Sequence, residues 1–167
     1  AGQTCVAPDY LFVHESQLEA FVEHCRAITP QRYPSLLTQD YTSIIDQSAY
    51  GRLMEYLDDA ESKGAQIINL LPGSIGNEAV RKIAPVLVLG ATDDMRVMHE
   101  EIFGPILPIK TYRNLDEALD YIKNRDQPLA LYLFTNQRQL QKRVVALTQS
   151  GGEGGLQFLN RPAACRD

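Results

Sequence analysis

Short apolar segments alternate along this chain with longer segments whose apolar residues recur at helical spacing. Amphipathic helices are predicted over residues 17–28, about 47–63, from 115 and from 137. Strands alternating with helices of about ten or more residues predict an α/β fold, with a largely parallel twisted sheet and helices on both faces. The predicted strands are DYLFVHES (9–16), AQIINLLPG (65–73), IAPVLVLGA (83–91), ILPIKTY (106–112) and LALYLFT (129–135).

Local residues predict details within this alternation. A polar turn at 74–82 predicts one antiparallel hairpin between its flanking strands. The near-continuous apolar run LALYLFT is typical of a strand that is covered on both faces. The prolines in ITPQRYPS (28–35) predict a loop after the first helix. The predicted helix ends are N-caps at Ser16 with Glu19, Asn114 with Glu117, and Asn136, and a stop at Gly64.

The length of 167 residues fits one domain, which we assign to residues 1–152. The remaining segment changes character, because GGEGGLQFLNRPAACRD (151–167) begins with four glycines in five residues and then shows no period. We therefore expect residues 153–167 to form an atypical, loose tail, or to be residues added to the natural sequence.

Charge and composition argue against several classes of partner. The net charge is −5 without a basic cluster, so phosphate backbones would be repelled and nucleic acid is not an expected partner. No apolar run reaches the ~20 residues of a membrane span, and no signal peptide is visible. Three cysteines without a C-x-x-C pair and isolated histidines argue against a disulfide framework and a metal site. A reducing cytoplasm fits best.

The cysteines have different surroundings. Cys25 lies on the apolar side of the first predicted helix, which favours a buried small hydrophobe, and Cys165 lies in the tail. Cys5 has small or polar neighbours, which leave its sulfur and nearby N–H groups open to a ligand. Local chemistry leaves two interpretations of Cys5 open, an incidental loop thiol and a nucleophile whose thiolate would need assistance.

Five short motifs occur in an order that resembles the NAD(P)-dependent aldehyde dehydrogenase superfamily. The resemblance is strongest to its fatty, aromatic and coniferyl aldehyde branch, and it covers about residues 1–152. The motifs are GQTCVAPDY (2–10), DYTSIID (40–46), IAPVLVLG (83–90), EEIFGPILPI (100–109) and PLALYLFT (128–135).

The resemblance implies a site and a reaction. Cys5 would be the catalytic nucleophile, Glu101 would hold the ribose hydroxyls of the nicotinamide nucleotide, and Phe103 would pack beside the nicotinamide. An aldehyde would be oxidised to the acid with NAD or NADP through a thiohemiacetal and a thioester on the cysteine. Without the resemblance, the sequence favours a solvated pair for Glu100 and Glu101. It favours ordinary packing in the core for Phe103.

The resemblance also implies parts that we do not find in these residues, namely a dinucleotide-binding domain, a general-base glutamate and an oxyanion-hole asparagine. We therefore expect a catalytic-domain fragment of a larger enzyme, itself a homodimer, and little turnover by this chain alone. Two alternatives stay open. One is a cysteine hydrolase or thioesterase pairing Cys5 with His14 or His99, and the other is a non-catalytic folding module.

Overall fold

A computed structural model describes residues 2–148 and the backbone of residues 156–158. Two helices follow the first strand in succession, and strands alternate strictly with α-helices only from residue 106 onward. The strands are β1 Leu11–His14, β2 Gln66–Asn69, β3 Gly76–Asn77, β4 Lys82–Ile83, β5 Val86–Leu89, β6 Ile106–Tyr112, β7 Leu131–Leu133 and β8 Leu156–Phe158. The helices are α1 Leu18–Arg32, α2 Gln47–Ser62, α3 Leu115–Lys123 and α4 Arg138–Leu147.

The main sheet has four strands in the order β1-β6-β5-β2. β6 pairs in parallel with β1 on one side and with β5 on the other, and β2 pairs antiparallel with β5. Two of the three pairings in this sheet are parallel, so the predicted α/β fold with a largely parallel sheet is confirmed, as is the antiparallel hairpin across residues 74–82. The hairpin connection itself contains the small antiparallel pair of β3 and β4.

Helix α1 covers one face of this sheet. Val22 of α1 belongs to a buried apolar cluster with strand residues Val13, Leu87 and Ile109. Cys25 is partly buried against the same cluster, and burial raises the pKa of its thiol. Cys25 is thus the small hydrophobe that its position predicted.

The opposite face is also buried. Val86 and Val88 alternate with Leu87 along β5, so they point away from α1, and both are almost completely buried. Helix α2 contacts β2 and the 3-10 turn Arg96–Met98. It begins where the Asp46 carboxylate accepts from the Ala49 N–H at 2.7 Å. The buried residues of α2 are Tyr50, Leu53, Tyr56, Leu57 and Ala60.

Two predicted features at the ends of α1 are wrong. The helix continues through Pro30 to Arg32, where a loop was predicted. Because Pro30 lies in the last turn, its ring removes one hydrogen bond, and the Tyr33 N–H still bonds to the Thr29 carbonyl. At the start, Ser16 is not the N-cap, since it lies in a 3-10 turn and its N–H bonds to the His14 ring.

Of the other predicted helix ends, two are confirmed and one is wrong. Asn114 caps α3 as predicted, accepting from the Glu117 N–H and donating to its carboxylate. Gly64 follows α2 with a φ of +92°. The Asn136 cap is wrong, because α4 begins at Arg138 and Gln137 occupies the cap position without a side-chain bond.

The chain divides into two compact units, residues 1–113 and residues from 114 onward, and the assignment of residues 1–152 to one domain stays a prediction. In the second unit β7 pairs in parallel with β8 alone among the described residues. The prediction of a strand covered on both faces is wrong there, because β7 is half-buried and its neighbours Leu129 and Phe134 are exposed.

Strand β8 lies inside the segment that was expected to be loose, and the rest of residues 151–167 falls outside the described residues. The described helices include none with the length and apolar character needed to span a bilayer.

Candidate active site

The first part of the site is the Cys5 turn, residues 2–9. The turn closes where the Ala7 N–H donates to the Thr4 carbonyl at 3.0 Å. Cys5 is exposed, and no described residue accepts its main-chain N–H. Both the sulfur and an adjacent N–H are therefore available to a ligand, as the small neighbours of Cys5 predicted.

The Gln3 side chain fixes one end of the Cys5 turn. Its Nε2 donates to the Ser43 carbonyl at 3.0 Å, and its Oε1 accepts from the Ile45 N–H at 3.0 Å. One amide thus binds both main-chain groups of the segment 43–45, as a neighbouring strand would. The segment belongs to the DYTSIID motif, so two of the sequence motifs meet here.

The second part of the site is the 100–104 loop. Ile102 and Gly104 are buried, Phe103 is half-buried, and Glu100 and Glu101 are exposed. Phe103 has a φ of +50°, a conformation that is unusual for a bulky side chain and that is found mainly where the surroundings enforce it. The sequence interpretation of Phe103 as plain packing gives no reason for such a conformation.

The two glutamates of the loop are not equivalent. The Tyr56 hydroxyl donates to the Glu100 carboxylate at 2.7 Å. The Glu101 carboxylate, in contrast, receives no hydrogen bond from the described residues. Of the two carboxylates, only that of Glu101 is without a hydrogen-bond donor among the described residues, so the interpretation of the pair as two equal solvated residues is incomplete.

The structure brings the Cys5 turn and the 100–104 loop together at two points. The Ile102 N–H donates to Asp9 Oδ1 at 2.9 Å. At the other end of the turn, Gly2 lies so close to the loop that a Cβ atom there would clash with the Gly104 carbonyl. Cys5 lies between these two attachments in sequence, so both ends of its turn are held on the loop that carries Glu101 and Phe103. Their individual roles stay predictions.

The histidines are bonded elsewhere. The His14 ring donates to the Arg113 carbonyl at 3.0 Å, and the His99 ring donates to the Asp93 carbonyl at 2.6 Å. No Cys–His contact forms at Cys5 within residues 2–148. The same residues contain no cluster of three His, Cys, Asp or Glu that could hold a metal ion.

Sequence reasoning missed the residues that hold the 100–104 loop. Arg52 donates to the main-chain carbonyls of Glu101 at 3.2 Å and Ile102 at 3.0 Å. Tyr56 holds Glu100, and its pKa is raised by burial and by that hydrogen bond. Asp9 stood inside the GQTCVAPDY motif, but nothing in its neighbours indicates a bond to residue 102.

Comparisons with known proteins identify the family of this chain. Residues 1–154 match the aldehyde dehydrogenase family. The coniferyl aldehyde dehydrogenase of Pseudomonas sp. is 45% identical over 154 residues, which are 90% of this chain and 32% of that protein. Aldehyde dehydrogenase family 3 member A2 of Mus musculus is 38% identical over 156 residues, 92% of this chain and 31% of that protein.

Solved structures give the same result. The substrate-bound state of Staphylococcus aureus AldH superposes with a TM-score of 0.82 at 38% identity, covering 95% of this chain and 33% of that one. The chain thus spans about a third of the length of the relatives it matches. On the motifs, the fold and these matches together, the chain belongs to the aldehyde dehydrogenase family.

Proposed function

We propose that this chain supplies the nucleophile and part of the cofactor site of an enzyme that oxidises an aldehyde to the carboxylic acid with NAD or NADP. The observation that carries the proposal is the attachment of the Cys5 turn to the 100–104 loop through Asp9 and Gly2. This attachment supports a site to which both the exposed thiol and the Glu101 carboxylate belong, as a covalent oxidation beside a bound nucleotide requires.

Cys5 performs the covalent step in this proposal. Its thiolate attacks the aldehyde carbon, and the carbonyl oxygen becomes the oxyanion of a thiohemiacetal. The Cys5 N–H, which no described residue accepts, is placed on the attacking residue itself and can donate to that oxyanion. Loss of hydride leaves the acyl group on sulfur as a thioester, and attack by water then releases the acid and restores the thiol.

Glu101 and Phe103 serve the nucleotide. A carboxylate can accept hydrogen bonds from two neighbouring hydroxyls, and the Glu101 carboxylate is exposed and has no donor among the described residues. These residues therefore fit a ribose diol. The nicotinamide, when bound, supplies the hydride acceptor. Phe103 follows Glu101 by two residues and is half-buried, so part of its ring is open to pack beside the nucleotide.

We propose an aromatic aldehyde of the coniferyl type as the substrate. The support is the 45% identity to a relative that is named a coniferyl aldehyde dehydrogenase. The enzyme is proposed to be a homodimer, which sedimentation would check.

A hybrid enzyme tests the proposal. Residues 1–154 of this chain replace the matched third of the Pseudomonas sp. relative, and NADH formation from coniferyl aldehyde is measured beside the parent enzyme. We expect turnover, and Cys5→Ala should reduce it by at least about a thousand-fold. Glu101→Gln should raise the KM for NAD about ten-fold, because a charged acceptor is lost.

The controls separate the alternatives. His14→Ala and His99→Ala should leave the hybrid rate unchanged, whereas a cysteine hydrolase would lose ester cleavage in one of them. A hybrid that folds like its parent but makes no NADH, or that keeps its rate after Cys5→Ala, would contradict the proposed function.

A further inference from the structure

Ile102 is the most constrained residue of the 100–104 loop. Its N–H donates to Asp9 Oδ1 at 2.9 Å, and its carbonyl accepts from Arg52 Nη2 at 3.0 Å. Its side chain is 1% exposed. The N–H, the carbonyl and the side chain of Ile102 are therefore all held. This fixes the direction of the main chain toward both of its neighbours, Glu101 and Phe103.

Arg52 extends this hold to the preceding residue. Its Nη1 donates to the Glu101 carbonyl at 3.2 Å and to the Tyr56 hydroxyl at 3.0 Å, so one guanidinium joins two successive carbonyls to helix α2. A planar fork with several donors can do this in one orientation, which a lysine ammonium cannot reproduce. The main chain of Glu101 is thus bound while its carboxylate stays open.

The arginine itself is held in place. Its guanidinium lies 5.1 Å from the centroid of the Tyr56 ring, and that of Arg96 lies 5.3 Å from the same centroid. Both distances are within the range of cation–π attraction. The Tyr56 hydroxyl then binds Glu100, which separates that carboxylate from its neighbour Glu101.

The partners of Arg52 distinguish it from an arginine in an ordinary ion pair. Within the described residues its hydrogen bonds go to two carbonyls and one hydroxyl, and it pairs with no carboxylate. Surface arginines of this chain do pair in that way, as Arg96 does with Glu55 at 2.9 Å. The Arg52 guanidinium, which donates to main-chain oxygens, therefore holds the conformation of the loop and does not neutralise a carboxylate.

We infer that Arg52 and Asp9 are positioning residues that set the orientation of Glu101 toward the nucleotide, by holding Ile102 from its two sides. The inference rests on the proposed function, and it adds two residues to the cofactor site. Asp9 also ties the Cys5 turn to the same point, so one residue, Ile102, relates the nucleophile to the cofactor carboxylate.

The first test measures hydrogen exchange in the 167-residue chain. Arg52→Met should make the amides of residues 100–104 exchange at least about ten-fold faster, because two bonds from a charged donor are lost. In Arg52→Lys the exchange rate of the same amides should lie between those of the native chain and of Arg52→Met. Asp58→Ala is the control, since Asp58 is an exposed residue of the same helix. Unchanged exchange in Arg52→Met would overturn the inference.

The second test measures kinetics in the hybrid enzyme. Arg52→Met and Asp9→Ala should raise the KM for NAD about ten-fold with a smaller change in kcat. The rise in KM is the one expected for Glu101→Gln. Asp9→Asn should restore most of the loss, because the amide oxygen can still accept from Ile102. A purely structural role would give no such separation of KM from kcat.

The outcomes separate the two proposals. If Glu101→Gln raises the KM for NAD and Arg52→Met does not, the positioning role is wrong and the proposed function stands. If Cys5→Ala leaves NADH formation intact, the proposed function is wrong whatever Arg52 does.

Discussion

The Cys5 turn and the 100–104 loop meet in one site but are held in opposite ways. The turn is exposed around Cys5, and it is attached through flanking residues, Gln3 and Asp9. The loop is packed at its centre, where Ile102 and Gly104 are buried. A nucleophile must stay open to its substrate, so its position is fixed from the sides, whereas the loop leaves its two glutamates exposed and is anchored by the buried residues Ile102 and Gly104.

This comparison predicts that helix α2 beneath the loop contributes far more to stability than the turn does. Leu53 of α2 is 0% exposed. Leu53→Ala should lower the free energy of unfolding by about 2–5 kcal/mol, because it removes buried methyl groups and leaves a cavity. Urea unfolding would measure the change. Leu37→Ala, at a leucine that is 61% exposed, is the control and should have little effect.

The next largest effect is expected where the loop touches Leu53. A Cβ atom on Gly104 would lie 2.6 Å from Leu53 Cδ1, and the buried leucine has no room to move. Gly104→Ala should therefore destabilise the chain by about 1–3 kcal/mol. Gly51→Ala, also a glycine substitution, meets nothing within 4 Å and lies inside α2, so it should be neutral or stabilising. Equal effects in the two variants would show that the loop is not packed against α2.

The two regions also differ in how far the sequence predicted them. Short motifs identify Cys5, Glu101 and Phe103, and periodicity predicts α2, because both signals are local. The bonds of Arg52 and Asp9 to Ile102 join residues 50 and 93 positions apart, so no local pattern contains them. For the same reason nothing in the sequence around Arg52 distinguishes it from other polar residues of α2.

Helix ends show the same limit on a smaller scale. Asn114 forms its cap within four residues, and the prediction is confirmed. Ser16 has a suitable Glu19, but the His14 ring accepts its N–H instead, and that ring is itself placed by a bond to Arg113. Tertiary contacts thus decide between caps that the local sequence leaves equivalent.

A smaller effect is expected from the attachment of the turn. Gln3→Ala removes two hydrogen bonds, one exposed and one partly buried, and each is worth about 0.5–1.5 kcal/mol. Stability should fall by less than in Leu53→Ala, and the Ile45 amide, which loses its acceptor, should exchange faster. Thr4→Ala, at an exposed neighbour, is the control. A loss as large as that of Leu53→Ala would mean that the turn is part of the core, contrary to the comparison.

The smallest effect on stability is expected at the Arg96–Met98 turn, and it depends on pH. The pKa of Asp59 is lowered from its usual 3.8, first by the Arg96 N–H and then by Lys63. A carboxyl whose pKa is lower in the folded than in the unfolded chain stabilises the fold at pH values above its unfolded pKa. This contribution is lost as the pH falls through the folded pKa. Asp59→Asn should therefore be less stable than the native chain at neutral pH, and the difference should shrink below about pH 4.

Urea unfolding at several pH values measures that difference, with Asp58→Asn as the matched exposed control. Because Asp59 binds the Arg96 amide at 2.8 Å, the variant should also speed exchange in residues 96–98 before it affects the Cys5 turn. A stability difference that stays constant from neutral to acid pH would exclude the charge of Asp59 as its cause. The shape and hydrogen-bonding capacity of the side chain would then account for the order of the Arg96–Met98 turn.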